Sequence, residues 1–147
     1  MEIIYILMAL LSGAVAPVQA GINAQLNQHW AGNVIVAAIA SFATGTIILI
    51  LFALVTKVPF PGLDISDTKA WHWLGGAMGA YFITVMVFLA PKLGAITMMV
   101  LVIAGQLCVS LILDHFGFFG YAQKSISFMR VAGVLMVAAG IFLVRRF

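Results

Sequence analysis

The apolar positions of this chain come in long unbroken blocks, not in alternation and not as a one-sided stripe. Five blocks stand out, at about residues 3–26, 33–56, 71–90, 95–113 and 129–144. Crossing the hydrocarbon core of a bilayer takes roughly 20 helical residues, and the first four blocks have that length. The fifth is short, but Arg130, Arg145 and Arg146 at its ends can snorkel to the interface. A membrane barrel needs alternating polarity along each strand, which these blocks lack. The pattern predicts an all-α integral membrane protein with five transmembrane helices, forming a single membrane domain over residues 1–147.

The links refine this. Residues 29–32 and 91–94 are short enough to be tight turns that join neighbouring helices as antiparallel hairpins. Residues 57–70 hold Pro59, Pro61, Gly62, Asp64, Asp67 and Lys69, which cannot stay in hydrocarbon. Residues 115–128 are rich in Phe, Tyr and Gly and are expected at the interface. Trp30, Trp71, Trp73 and Tyr121 fall near segment ends, where aromatic belts anchor a protein in the membrane.

Composition agrees with a chain that has almost no soluble part. Of 147 residues, 65% are hydrophobic and 7% charged, too little polar surface to cover a soluble core. The single cysteine, Cys108, has no partner for an intrachain disulfide. The seven Lys/Arg and four Asp/Glu lie at segment ends, which is how membrane flanks look and is no argument for nucleic acid. Residues 3–16 could form the apolar core of a signal peptide, with Val18-Gln19-Ala20 as its cleavage site. Glu2 and the lack of Lys or Arg ahead of that core argue for a retained helix. Lys57, Lys69, Lys124 and Arg130 fall on one side of the predicted topology, and Lys92, Arg145 and Arg146 on the other. Such near balance gives no firm orientation. It fits either one weakly determined orientation or copies inserted both ways that pair head to tail.

The chemistry lies in the polar residues inside the spans. Between Ala16 and Trp30 the chain carries the amides Gln19, Asn23, Gln25, Asn27 and Gln28, behind Pro17. Pro17 has no N–H to give the Gly13 carbonyl, so a kink and a bared acceptor are expected. Gln19, Asn23 and Asn27 follow at intervals of four and share one helix face. An unpaired amide in hydrocarbon costs on the order of several kcal/mol, so this face is expected to meet protein or water. Gln106, Ser110 and Asp114 repeat the spacing in the fourth span. Ser41, Thr44, Tyr81 and Thr84 lie in the second and third. The Ser and Thr hydroxyls are expected to act as glue, because they can bond neighbouring helices or their own helix backbone.

Gln19, Asn23 and Gln106 are expected to line a polar cavity, with Pro17, Asn27, Ser110 and Tyr81 as further substrate-binding candidates. Asp114 beside His115 reads either as a proton-exchange pair or as a solvated helix end. No carboxylate sits deep in a span, which argues against a simple cation/proton exchanger. No metal-ligand cluster, nucleophile elbow or phosphate loop is present in the sequence, so neither an enzyme nor a cofactor or metal is expected. His29, His72 and His115 all fall near membrane boundaries and read as interfacial. Small residues form three ridges that allow close helix approach: Ala37/Ser41/Gly45, Gly75/Gly79 and Gly133/Gly140.

Several of these stretches together resemble one family. They are Pro17-Val18-Gln19-Ala20-Gly21-Ile22-Asn23, Trp73-Leu74-Gly75-Gly76 with Gly79-Ala80, Ala90-Pro91-Lys92-Leu93-Gly94-Ala95, and Ala104-Gly105-Gln106 with Asp114-His115-Phe116-Gly117. In this order, over essentially the whole chain, they resemble the five-helix, YdcZ-like branch of the drug/metabolite transporter superfamily of bacterial inner membranes. Residues 133–144 also resemble the last helix of small multidrug-resistance transporters, which packs at their dimer interface. The family occurs as single genes, as paired genes of opposite orientation and as fused ten-helix proteins. The resemblance therefore implies that a single five-helix chain forms an antiparallel ten-helix homodimer, with Gly133, Gly140, Gly75 and Gly79 as packing positions. Small multidrug-resistance relatives use a membrane glutamate in their first helix. This chain has only Glu2, at the very end, which speaks against export of cationic drugs. The expected function is secondary transport of a small polar solute through a site at the dimer midplane. A small dual-topology ion channel and a non-transporting assembly factor are the alternatives.

Overall fold

The structure, a computed structural model, describes residues 2–59, 66 and 68–146. Pro61, Gly62, Asp64 and Asp67 of the expected polar loop lie outside the described residues, as does the side chain of Arg145. Among the described residues the chain is all helical. The helices are α1 (Glu2–Leu26), α2 (Val34–Val55), α3 (Leu74–Leu93), α4 (Ala95–Phe116) and α5 (Phe128–Arg146). Four helical stretches, Glu2–Ala31, Val34–Val55, Ala70–Leu93 and Ala95–Phe116, are long and apolar enough to cross a membrane. The fifth apolar stretch, Phe128–Leu143, is shorter. Large apolar side chains stand outward along the helices, Leu49 at 69% and Val55 at 80% exposure. In water that surface would drive aggregation, whereas lipid tails suit it.

Several expected turns are shorter than the sequence suggests. Residues 29–31 are not a turn but part of a π-helical segment, Asn27–Ala31, that continues α1. The chain reverses at Gly32, whose φ of 63° lies in the left-handed region that favours glycine, and whose N–H reaches the Asn27 carbonyl at 2.9 Å. Pro91 likewise sits inside α3 and not in the link. A proline ring fixes φ at a helical value, so the helix can pass through it at the loss of one hydrogen bond. Only Gly94 separates α3 from α4. Its φ of 73° and ψ of 163° belong to a region that side-chain-bearing residues avoid. At the other end α4 runs on to Phe116, so Asp114 and His115 are helical.

The chain divides into two compact units, Met1–Lys92 and Leu93–Phe147. In the first, Asn33 caps α2, its Oδ1 accepting from the Ile35 N–H at 2.8 Å. The core is built from Ala37 and Ala38 of α2 with Ile83 and Val87 of α3, and Ala31 and Val34 pack against it. Alanines on α2 leave room for the branched residues of α3. At Gly79 of α3 the space is taken by the Phe42 ring, 3.5 Å from where a Cβ would stand. The second unit is α4 and α5 with the segment between them, which carries a short 3-10 turn at Phe118–Gly120.

Candidate functional site

In α1 the apolar run continues through Pro17 as one helix. Membrane helices tolerate proline where neighbouring helices, hydroxyl side chains or water meet the backbone group it frees. The face one turn on is where polarity and burial meet. Asn23 is 4% exposed and is the buried polar residue among those described, between Ala20 at 2% and Ala24 at 7%. Its Nδ2 has no hydrogen-bond partner among protein atoms, and neither has the buried Oδ1 of Asn27, one turn further. The π-helical segment begins at Asn27. Such wider turns occur mostly as local insertions and often at functional sites. Gln25, on another face, is engaged: the His29 Nε2–H donates to its Oε1 at 2.8 Å.

Gln19 opens onto a cavity of about 220 Å³ between α1, α2 and α3, lined also by Ser41, Gly45 and Thr46 of α2 and by Ile83 of α3. Ser41 and Gly45, expected only as packing residues, therefore stand at the same cavity as Gln19. The neighbouring threonines behave as the sequence implies. Thr44 Oγ1 donates to the Ala40 carbonyl at 2.9 Å and Thr84 Oγ1 to the Ala80 carbonyl at 2.7 Å, each within its own helix. Tyr81 stands away from this cavity. It is 74% exposed and borders an open groove of about 620 Å³ formed by α3 alone, beside Met78, Gly79 and Phe82.

In the second unit Gln106 and Ser110 are exposed on α4. Ser110 lines a groove of about 290 Å³ with Leu107, Arg130, Gly133 and Val137. Asp114, on the same face, is held. Arg130 of α5 pairs with its carboxylate through Nη2, and Nη1 of the same guanidinium donates to the Lys124 carbonyl at 2.9 Å. The backbone repeats the tie, since the Lys124 N–H donates to the Asp114 carbonyl at 2.7 Å. His115 does not pair with Asp114. Its Nδ1 accepts from the Ile126 N–H at 3.2 Å, and its carbonyl accepts from Gln123 Nε2 at 3.1 Å. The segment after α4 is thus laced to the last turn of that helix by Gln123, Lys124 and Ile126, and α5 by Arg130.

Of the three amides spaced by four, Gln19 lines the cavity with Ser41 and Thr46, Asn23 is buried one turn on, and Asn27 opens the π-helical segment. The roles of Arg130 and Gln123 at Asp114 and His115 were missed by sequence reasoning. Opposite charge sixteen positions away was the available signal for the first. Among the described residues no group of three or more His, Cys, Asp or Glu could hold a metal ion.

The whole chain carries a recognisable family pattern. Residues 4–143 match the family described as "Putative inner membrane exporter, YdcZ". No curated protein and no solved structure matches the chain. The family match extends from α1 to α5 and coincides with four helices fit to cross a bilayer. The chain therefore belongs to this YdcZ family of the drug/metabolite transporter superfamily and is a multi-pass protein of the inner membrane.

Proposed function

We propose that the protein is a secondary transporter for a small polar solute without net positive charge, and that the amide face of α1 is its binding surface. One observation carries this reading: Asn23 is buried to 4% exposure while its Nδ2 lacks a partner. A buried donor left unsatisfied costs about 1–3 kcal/mol. Such groups are rare in folded proteins and call for a partner, whether a ligand, a fixed water or an ion. The chemistry of the face sets the solute class. Amides both donate and accept, and no carboxylate lies on this face to hold a cation.

The single chain leaves Gln19, Gln106 and Ser110 exposed along helices that lipid would surround. Amides facing hydrocarbon cost several kcal/mol each, on the order of the transfer penalty. That supports a second copy or a water-lined cavity against them, and an antiparallel homodimer supplies both. Its inverted halves would give the pseudo-two-fold relation on which alternating access relies. Gly75, Gly133 and Gly140 have nothing within 4 Å of where a Cβ would stand, which leaves room for another helix. Gly79, already against Phe42, has less. Gly140→Leu is expected to convert detergent-solubilised dimers to monomers in mass photometry, and dimers that persist would move the interface elsewhere. Proton coupling through Asp114 and His115 would require the pair with Arg130 to open.

Flux measured on purified protein in proteoliposomes, with radiolabelled neutral and zwitterionic solutes, tests the function. A transporter gives saturable uptake that preloaded unlabelled solute accelerates by exchange. Rapid unsaturable flux would establish a channel instead, and no flux for any solute would leave an assembly factor.

A further inference from the structure

The cavity between α1, α2 and α3 is lined by side chains of two kinds. Gln19, Ser41 and Thr46 are polar, whereas Phe42, Leu49 and Ile83 are apolar. The polar three differ from the other hydroxyls of these helices. Those of Ser12, Thr44, Thr56 and Thr84 each donate to the carbonyl four residues back in their own helix. Gln19, Ser41 and Thr46 have no hydrogen-bond partner among the described residues. Gly45 lies one turn from both Ser41 and Leu49, on the same face of α2. Nothing stands within 4 Å of where its Cβ would be, so the missing side chain helps to keep the cavity open. Among the described residues no charged side chain lines it.

We propose that this cavity takes an uncharged, amphipathic solute of single-ring size, bearing one amide or hydroxyl group. Scaling from benzene, which fits a cavity of about 150 Å³, leaves room for about nine non-hydrogen atoms in about 220 Å³. The polar group of the solute meets the Gln19 amide and the two hydroxyls, which donate and accept whichever way the amide is turned. Its apolar body covers Phe42, Leu49 and Ile83. A polyol leaves hydroxyls against those three, and a hydrocarbon leaves Gln19, Ser41 and Thr46 unmet. An ion of either sign finds no counter-charge there. The inference rests on the α1 face being part of the solute surface, through Gln19, and narrows the solute from any small polar compound to an amphipathic one.

Binding of tritiated benzamide to purified protein in nanodiscs, read by scintillation proximity, tests this, with empty nanodiscs measuring partition into lipid. Saturable binding above that background is expected. Benzoate and benzamidinium share the shape of benzamide with opposite charges, and neither is expected to compete, nor is xylitol. Gly45→Leu is expected to abolish binding by filling the cavity. Thr46→Val keeps the shape but removes one hydroxyl, and is expected to weaken binding about two- to tenfold, the factor for one hydrogen bond. Thr44→Val, whose hydroxyl is engaged within its own helix, is expected to leave binding unchanged. Absence of saturable benzamide binding to folded protein would overturn the inference. So would competition by benzoate, benzamidinium or xylitol at the concentration of benzamide, and so would binding that Thr46→Val leaves unaltered. The transport reading is tested apart. No flux for any solute, with benzamide still bound, contradicts transport alone, and flux of other solutes without benzamide binding contradicts the amphipathic site alone.

Discussion

Helices α1 and α4 carry the same polar pattern and use it differently. In α1 the series is Gln19, Asn23, Asn27, and in α4 it is Gln106, Ser110, Asp114, each spaced by four. On α4 the series ends in a charge that the Arg130 guanidinium pairs, while a bond from the Lys124 N–H to the Asp114 carbonyl ties the backbone of the same residue. On α1 the series ends in two buried amide atoms that the chain leaves without partners. Helical spacing determines which polar groups share a face. Whether that face is structural or available for binding depends on what the rest of the chain brings to it. Asp114 receives Arg130 from sixteen residues on, and Asn23 receives no donor or acceptor from a neighbouring helix.

Substitutions can break the comparison at either end. The largest loss of stability is expected from Arg130→Leu, which strands the Asp114 carboxylate and the Lys124 carbonyl. Losing a hydrogen-bonded charge partner costs about 1.5–3 kcal/mol, with the lower end favoured because both side chains are about a third exposed, 32% and 27%. Thermal unfolding in detergent measures it. Adding Asp114→Leu to that variant should restore part of the loss, because the stranded charge is then gone.

A smaller effect is expected where an asparagine is already satisfied. Asn33→Ala removes the cap of α2 and should cost about 1 kcal/mol, read as a lowered unfolding temperature. An unchanged temperature would mean that membrane packing alone holds that helix end. The smallest effects belong to Thr44→Val and Thr84→Val, whose hydroxyls bond only their own helices. Both should stay within about 0.5 kcal/mol of the parent with transport intact. Loss of transport in either would extend the solute surface to α2 or α3.

Much of this was legible in the sequence because the bilayer simplifies the problem. All five helices follow from blocks of apolar residues, and the shared amide face of α1 follows from spacing alone. The ends were less legible. Pro91 and His29 looked like turn residues, yet helical geometry absorbs both, and the breaks between helices fall at Gly32 and Gly94, whose φ values of 63° and 73° most residues avoid. The second half of the site was harder still. Ser41 and Thr46 have the same spacing as structural hydroxyls, and nothing local distinguishes a serine at a cavity from one against a helix. The partnership of Asp114 with Arg130 crosses a segment of irregular backbone, whose path no periodicity describes.

The central claim is that the α1 face binds solute while the α4 face holds the fold. The most direct measurement compares Asn23→Leu with Arg130→Leu in one preparation, reading flux per folded protein and unfolding temperature for each. Leucine at 23 removes an unsatisfied donor, so the unfolding temperature should stay level or rise, as is common where function and stability compete. Flux should fall by about fivefold or more, the factor that follows from leaving a solute group unpaired at about 1–3 kcal/mol. Arg130→Leu should do the reverse, lowering the unfolding temperature while each folded molecule still transports. Asn23→Leu protein that unfolds at clearly lower temperature, with flux per folded molecule unchanged, would show the α1 amides to be structural and would contradict the account.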